Sequence, residues 1–329
     1  MSFASLGLSQ AVLRAIADAG YHTPTPIQLA AIPHLAAGTD LLGCAQTGTG
    51  KTAAFALPLI DRFLEQPALP KGEKGAIRVL VLAPTRELAS QIAESFETYS
   101  AHTALRTVVV FGGVSQQSQV KALQSGADVL VATPGRLIDL MNQGFVRLNH
   151  LAVFVLDEAD RMLDMGFLPD VRRIVAKLPN QRQTAMFSAT MPPPIERLAR
   201  AILRSPVKVE IERVPETTAL IEEAVCFVPK PQKSKVLATL LKRQPVERAI
   251  VFTRTRHGAD RVAKQLNRAG IPAEAIHGDK SQGRRLRTLA NFKSPRPPIL
   301  VATDLAARGI DIDGMSDVFN FDLQNEPET

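Results

Sequence analysis

Tryptophan is absent and tyrosine occurs only twice, so stacking on aromatic platforms is not the main way this chain would hold a nucleic acid. Cysteine is equally scarce. Cys44 and Cys226 stand far apart with no CxxC spacing and no neighbouring histidine, which argues against a zinc site and reads as two reduced thiols in a reducing compartment. No apolar run approaches the roughly 18 residues that a membrane helix needs, and the first residues lack the charged-then-apolar pattern of an export signal. Low-complexity and polybasic tracts are missing too. These absences lead to the expectation of a soluble, cytoplasmic chain with no membrane association. Its 329 residues exceed the usual single-domain size, which predicts two domains, and 45% apolar residues are enough for a core in each. A net charge of +7, spread over both halves, permits contact with a polyanion without specifying one.

The most informative stretch runs through Ala45, Gln46, Thr47, Gly48, Thr49, Gly50, Lys51 and Thr52, between a short apolar run ending at Cys44 and a helical stretch rich in Ala, Phe and Leu. Strand, glycine-rich turn and helix start follow in the order of a phosphate-binding loop. Glycines let successive backbone N–H groups turn inward, and the helix N-terminus adds its partial positive charge. Lys51 supplies a cation for the outer phosphates and Thr52 a hydroxyl for Mg²⁺. One departure stands out: the usual pattern opens with Gly, and Ala45 occupies that place.

Around this loop, apolar runs alternate with helical patterns. Val79–Ala83, Thr107–Phe111, Asp128–Ala132, Ala152–Leu156 and Gln183–Phe187 read as strands, each followed by a helix. Continuous rather than alternating apolar strands imply a parallel sheet covered on both faces. Periodicity fades over Ser205–Thr218, where Pro206, Pro215 and several charges suggest a linker. It restarts with Ala224–Val228, Ala249–Thr253, Pro272–His277, Pro298–Ala302 and Asp317–Asp322. Upstream of the loop, Ser9 reads as the cap of a first helix ended by Gly20, and Thr25 with Pro26 as the start of a second.

Directly after the apolar run 153–156 come Asp157, Glu158, Ala159 and Asp160. Carboxylates at the C-terminal edge of a buried strand lie where open parallel sheets bind substrates. Beside a phosphate-binding loop, Asp157 is suited to a hydrated Mg²⁺ and Glu158 to the attacking water. With these residues, Gln28 and a series of further segments in matching order, the chain resembles the DEAD-box RNA helicases, named for the four letters at 157–160. Its N-terminal half is similar to bacterial members of the RhlE type.

That resemblance implies an α/β fold of two RecA-like lobes, each a mostly parallel sheet flanked by helices. The N-terminal lobe would span 1–205, a linker 206–218, and an incomplete C-terminal lobe 219–329. It implies ATP as nucleotide and Mg²⁺ as cofactor, with Lys51, Asp157 and Glu158 catalytic and Thr52 with Asp157 on the metal. ATP contacts would come from Phe3, Tyr21, Gln28, residues Ala45 to Thr52, and Asp311 in the second lobe. The Gln28 amide, one donor and one acceptor, suits the adenine edge; Phe3 reads equally as a core anchor, and Tyr21 as a cap of the first helix. Sequence-nonspecific RNA contacts, to single or double strands, would come from Pro84, Thr85, Arg86, Gly112, Gly113, Thr133, Pro134, Gly135 and Arg136. Thr253, Gln282, Arg285 and Thr303 would add to them from the second lobe; the motif that includes Thr303 runs on through Arg308 to Asp311, which would touch the ATP ribose. Glu87 reads as a holder of Arg136 or a helix cap, and Arg284, Arg285 and Arg287 can equally form one solvated helix face. Ser188, Ala189 and Thr190 would couple hydrolysis to strand separation.

In the family the pattern continues past Pro327 and Glu328 to two arginines that reach the γ-phosphate, and the sequence given stops at Thr329. It is therefore expected to be truncated before that motif and to bind ATP and RNA while hydrolysing poorly, since arginine fingers contribute on the order of 10³–10⁵ in rate. A monomer is expected, with ribosomal or mRNA-degradation proteins as partners. Two other readings stay open: a loop-driven motor acting on DNA, and a non-catalytic RNA clamp or scaffold.

Overall fold

A computed structural model describes residues 2–65, 76–211, 222–243, 246–303 and 314–322. The chain divides in sequence between Arg213 and Val214 into two compact units.

In the first unit, strands β1 (Leu41–Cys44), β2 (Val79–Leu82), β3 (Thr107–Val110), β4 (Val129–Ala132), β5 (Val153–Leu156), β6 (Gln183–Ser188) and β7 (Val207–Glu210) form one sheet in the order β3-β4-β2-β5-β6-β1-β7. Every pairing is parallel. Its helices are α1 (Gln10–Asp18), α2 (Pro26–Ala36), α3 (Lys51–Glu65), α4 (Arg86–Tyr99), α5 (Gln116–Gln124), α6 (Pro134–Asn142), α7 (Ala159–Asp164), α8 (Leu168–Val175) and α9 (Pro193–Ile202). The apolar strands explain the three layers. Val79, Val81, Val153 and Val155 enter one core with Phe55, Ile92 and Phe96, while Leu80, Leu82, Phe154 and Leu156 enter the other with Leu137, Ile174 and Leu198. Side chains alternate across the pleat, so a strand that is apolar at every position must be covered twice. Each such fully buried side chain contributes about 1.5–3 kcal/mol.

Strand β7 departs from the expected linker. Val207–Glu210 pairs with β1, Leu41 opposite Val207, and extends the sheet to an edge. The alternation of Val207 and Val209 with Lys208 and Glu210 is that of an edge strand with one buried face, and the two charges hid it. Buried Asp40 fastens this margin by accepting from the N–H groups of Thr184 and Arg204, both at 2.7 Å. The rest of the expected linker, from 212 onward, lies outside the described residues.

The second unit comprises α10 (Lys233–Arg243), β8 (Ala249–Phe252), α11 (Arg256–Arg268), β9 (Ala273–Ile276), α12 (Gln282–Phe292), β10 (Ile299–Ala302) and β11 (Asp317–Asn320). Its sheet runs β11-β8-β10-β9, again parallel. Ala224–Val228, expected as a strand, pairs with none of the described residues, and Val225 and Phe227 are exposed. An apolar run becomes a strand only when an edge receives it. Among the described residues no helix is long and apolar enough to cross a membrane.

Candidate active site

In the first unit the segments at 45–52, 84–86, 112–113, 133–136, 157–160 and 188–190 follow the C-terminal ends of strands, whereas Gln28 lies on α2. β1 runs into the loop at 45–50, and α3 begins at Lys51. Gly48 and Gly50 have φ of +82° and +88°, a region closed to most side chains. A Cβ at Gly50 would also lie 2.5 Å from the Gln28 Nε2 atom, so this glycine serves both the turn and a close approach. Ala45 shows why the departure is tolerated: its φ is not positive, and its N–H continues the β1–β6 ladder to the Ser188 carbonyl at 3.2 Å. Lys51 is buried and folds back over the loop, its Nζ donating to the Ala45 carbonyl at 3.1 Å. Gln46, Thr47 and Gly48 face solvent.

At the end of β5, Asp157 is 2% exposed and Glu158 4%. Burial pushes the Asp157 carboxyl up from 3.8 to about 6; Lys51 opposes the rise and Glu158 adds to it. Such a carboxylate is desolvated and incompletely compensated, which suits a cation. The described residues hold no group of three or more His, Cys, Asp or Glu that could hold a metal. Mg²⁺ keeps waters and takes one or two carboxylates beside phosphate oxygens, so a single buried carboxylate such as Asp157 suits it. Asp157 and the Thr52 hydroxyl are the groups of the loop–strand pair that could hold it.

Glu158 sits at φ +49°, a left-handed conformation rare outside glycine. The Thr47 hydroxyl donates to its Oε1 at 3.1 Å, and Arg161 pairs with Oε2. Asp160 faces the end of β6. Its Oδ2 accepts from the N–H groups of Ala189 (3.2 Å) and Thr190 (2.9 Å) and from the Thr190 hydroxyl (3.0 Å), while its own N–H donates to the Ser188 hydroxyl at 3.1 Å. Residues 157–160 and 188–190 are thus wired together directly, and the segment is more than a cap for α9, whose cap position is Pro192.

The expected RNA-contacting segments lie along the same edge. The Thr85 hydroxyl caps α4 by accepting from Leu88 N–H at 3.2 Å, Pro84 is buried behind it, and Thr133 with Pro134 opens α6. Gly113 has φ +79°, and a Cβ there would collide with the Arg86 guanidinium, so Arg86 lies against the Gly112–Gly113 turn. A Cβ on exposed Gly135 would meet nothing within 4 Å, so packing does not demand a glycine there. Arg136 donates to Gln119 Oε1 at 2.8 Å and to the Val114 carbonyl at 3.2 Å, and Gln119 Nε2 donates to the Phe111 carbonyl at 2.9 Å. Glu87 is buried in the first turn of α4. Gln119 and Arg161 are absent from the sequence-based set. One polar residue on an amphipathic helix carries no signal until the fold shows what it reaches.

Other expected contacts are placed differently. Phe3 is 5% exposed within the first core, which leaves its ring no face for a base. Tyr21 packs edge-on against Tyr99 at 6.0 Å, and its N–H bonds the Ile16 carbonyl at the end of α1. Gln28 is buried, and its amide bridges two protein groups: Oε1 accepts from Thr25 N–H at 2.9 Å, and Nε2 donates to the Gly50 carbonyl at 3.1 Å. One further N–H and one lone pair remain for an adenine edge.

In the second unit, Thr253 is 1% exposed and its hydroxyl faces the Thr255 and Ala302 carbonyls, both at 3.3 Å, so the side chain offers an outside ligand no surface. Gln282 is buried at the start of α12, Arg285 is half-buried, and Thr303 follows β10 at 9% exposure. Arg308 and Asp311 lie outside the described residues.

Comparison with known proteins finds matches over nearly the whole chain. The family model described as DEAD/DEAH box helicase matches residues 25–198, and that described as helicase conserved C-terminal domain matches 232–329. The chain is 44% identical over 328 residues to the DEAD-box ATP-dependent RNA helicase CshA of Geobacillus kaustophilus, covering 100% of this chain and 69% of that protein. It is 41% identical over 328 residues to CshA of Bacillus cereus, covering 100% of this chain and 61% of that one. Among solved structures, S. cerevisiae Dbp5 bound to RNA and ADP BeF3 matches with a TM-score of 0.82 at 29% identity, over 99% of this chain and 82% of that one.

Proposed function

The chain belongs to the DEAD/DEAH box helicase family, and from that membership we propose that it forms the core of an ATP-dependent RNA helicase, coupling ATP hydrolysis to local duplex opening or to remodelling of RNA–protein complexes. The observation that carries this reading is the convergence of Lys51, Asp157 and Glu158 at one sheet edge, with Asp160 bonded to Ser188 at the end of the neighbouring strand and to Thr190 just beyond it.

In this proposal the backbone N–H groups of 46–51 and the start of α3 hold the phosphates of ATP, and Gln28 uses its spare N–H and lone pair on adenine. Lys51 is already poised over the loop, so trading the Ala45 carbonyl for a phosphate oxygen requires little reordering. Mg²⁺, when bound, screens charge between the phosphates, and Thr52 and Asp157 are the residues that would hold it. Glu158 orients the attacking water and takes its proton after exchanging its bond from Thr47; Arg161 keeps its other oxygen in place. Asp160 passes any shift of the 157–160 turn to 188–190. The N–H groups at the starts of α4 and α6, the 112–113 turn, Arg86 and Arg136 meet RNA phosphates and sugars, contacts that carry no sequence information.

ATP turnover measured with and without an oligo(U) strand tests the reading. Stimulation by RNA above that by DNA of equivalent sequence is expected, with Glu158→Gln retaining ATP binding and losing at least about 100-fold in turnover. Equal stimulation by DNA, or turnover that survives Glu158→Gln, would overturn it. For residues 1–329 as an isolated polypeptide we propose ATP binding with slow hydrolysis, checked by the same assay in single-turnover form.

A further inference from the structure

The second unit carries a polar groove that the helicase reading leaves unused. It has a volume of about 690 Å³ and is lined by α11, β9 and α12. The two helices cover opposite faces of the sheet: α11 buries Val262 and Leu266 with Val251 and Ile299, and α12 buries Leu289 and Phe292 with Ile250 and Leu300. A groove reaching both helices must therefore cross the sheet edge, and β9 is the edge strand.

Its floor is open backbone. Asn267 covers the first position of that edge, its Nδ2 donating to the Ala273 carbonyl at 2.7 Å and its Oδ1 accepting from the Ala273 N–H at 3.2 Å. Two residues on, the pleat directs the Ala275 N–H and carbonyl to the same side, and Ala275 lines the groove. The walls are charged. Asp260 is met by Lys280 at 2.6 Å and His277 at 3.1 Å, and Glu274 accepts from Thr288 and Asn291 at 2.7 and 2.8 Å. Lys264, Arg284 and Arg287 are exposed and pair with none of the described residues. At about 100° per residue, Arg284 and Arg287 project from the side of α12 opposite to Gln282 and Arg285. They therefore lie apart from that pair, on the solvent side of the helix.

We propose that this groove docks an extended acidic peptide of a partner protein as an added strand on β9. The unmatched cations select negative charge. An open strand edge selects backbone N–H and carbonyl groups in alternation, which a peptide supplies and a nucleic acid does not.

The probe is a fluorescein-labelled peptide, Glu-Val-Glu-Val-Glu-Val-Glu, titrated with residues 1–329 and followed by anisotropy, beside its Lys-for-Glu counterpart. The acidic probe binds and the basic one does not. Combined Lys264→Glu, Arg284→Glu and Arg287→Glu lowers affinity at least about tenfold. Ala275→Pro does the same by removing an outward donor, a change an edge strand tolerates, with unchanged thermal melting as the control. Failure of the acidic probe to bind, equal binding of the basic one, or unaltered affinity in Ala275→Pro overturns the proposal. So does loss of oligo(U) binding in the charge-reversed variant with peptide binding intact, which would make the groove an RNA surface.

Discussion

Asp157→Asn should make the nucleotide-free protein more stable while removing what the site is for. The carboxyl moves from 3.8 to about 6 on folding, which at about 1.4 kcal/mol per pH unit is a cost of about 3 kcal/mol for carrying the charge at neutral pH. Asparagine keeps the Oδ1 acceptor for the Glu158 N–H at 2.9 Å. Lys51 loses an attractive neighbour, so the net gain is about 1–3 kcal/mol, or about 2–10 °C in melting temperature for a unit of this size. The sign follows from proton linkage: the folded state binds more protons than the unfolded chain between about 4 and 6, so this residue's contribution to stability falls as pH rises through that window. The gain in Asp157→Asn is therefore full at about pH 7.5, falls to about a third of that near pH 4.5, where Asp157 is protonated in the fold but still largely ionised in the unfolded chain, and vanishes only well below 3.8. Thermal melts of both proteins across this range, with and without ATP and Mg²⁺, provide the assay. Added nucleotide with metal should raise the wild-type midpoint strongly and the variant's weakly. A variant less stable than wild type at pH 7.5, or a gain of the same size at pH 4.5, would refute the claim that Asp157 is a strained, desolvated charge.

Three further substitutions separate the parts of the first unit. Gly50→Ala combines a φ of +88° with a Cβ 2.5 Å from Gln28 Nε2; strain of about 1–2 kcal/mol plus a lost hydrogen bond predicts ATP affinity reduced at least about tenfold by equilibrium titration. Asp160→Ala removes the acceptor for Ala189 and Thr190, whose donors are solvent-exposed, so stability falls by only about 1 kcal/mol; ATP binding persists in a titration, and duplex unwinding per ATP hydrolysed drops. Gln119→Ala frees Arg136 from its partner, and RNA affinity should fall about tenfold while ATP affinity, measured in parallel, stays unchanged.

Much of the first unit was legible because each motif directly follows an apolar run long enough for one buried strand. Ala45 to Thr52 after β1, Asp157 after β5 and Ser188 ending β6 could be placed from local pattern alone. What was not legible depended on partners distant in sequence. Val207–Glu210 looked like linker because its charges face solvent from a sheet edge that only the fold creates. Ala224–Val228 looked like a strand because its apolar character is local, whereas pairing is not. Phe3 is an aromatic that the core claimed, and Thr253 a hydroxyl that neighbouring carbonyls claimed. Gln119 and Arg161 escaped because their value lies in reaching Arg136 and Glu158 from other turns of the chain.

The bonds around the loop at 45–50 make it more than a phosphate cradle. Gln28 reaches the Gly50 carbonyl, Lys51 reaches the Ala45 carbonyl, and Thr47 reaches Glu158. The proposed reader of the base, the cation for the phosphates and the proposed base for hydrolysis are each tied to the same six-residue segment. In the proposed mechanism a ligand that reorders the segment breaks all three bonds together, which would couple adenine recognition, phosphate binding and activation of Glu158. Each bond is worth only about 1 kcal/mol, but three released in concert are enough to shift a two-state loop by about two orders of magnitude. Glu158, held at φ +49° with Arg161 on its second oxygen, adds stored strain on the receiving side. On that proposal, selectivity for the nucleotide and readiness to hydrolyse it would reside in one loop rather than in separate residues.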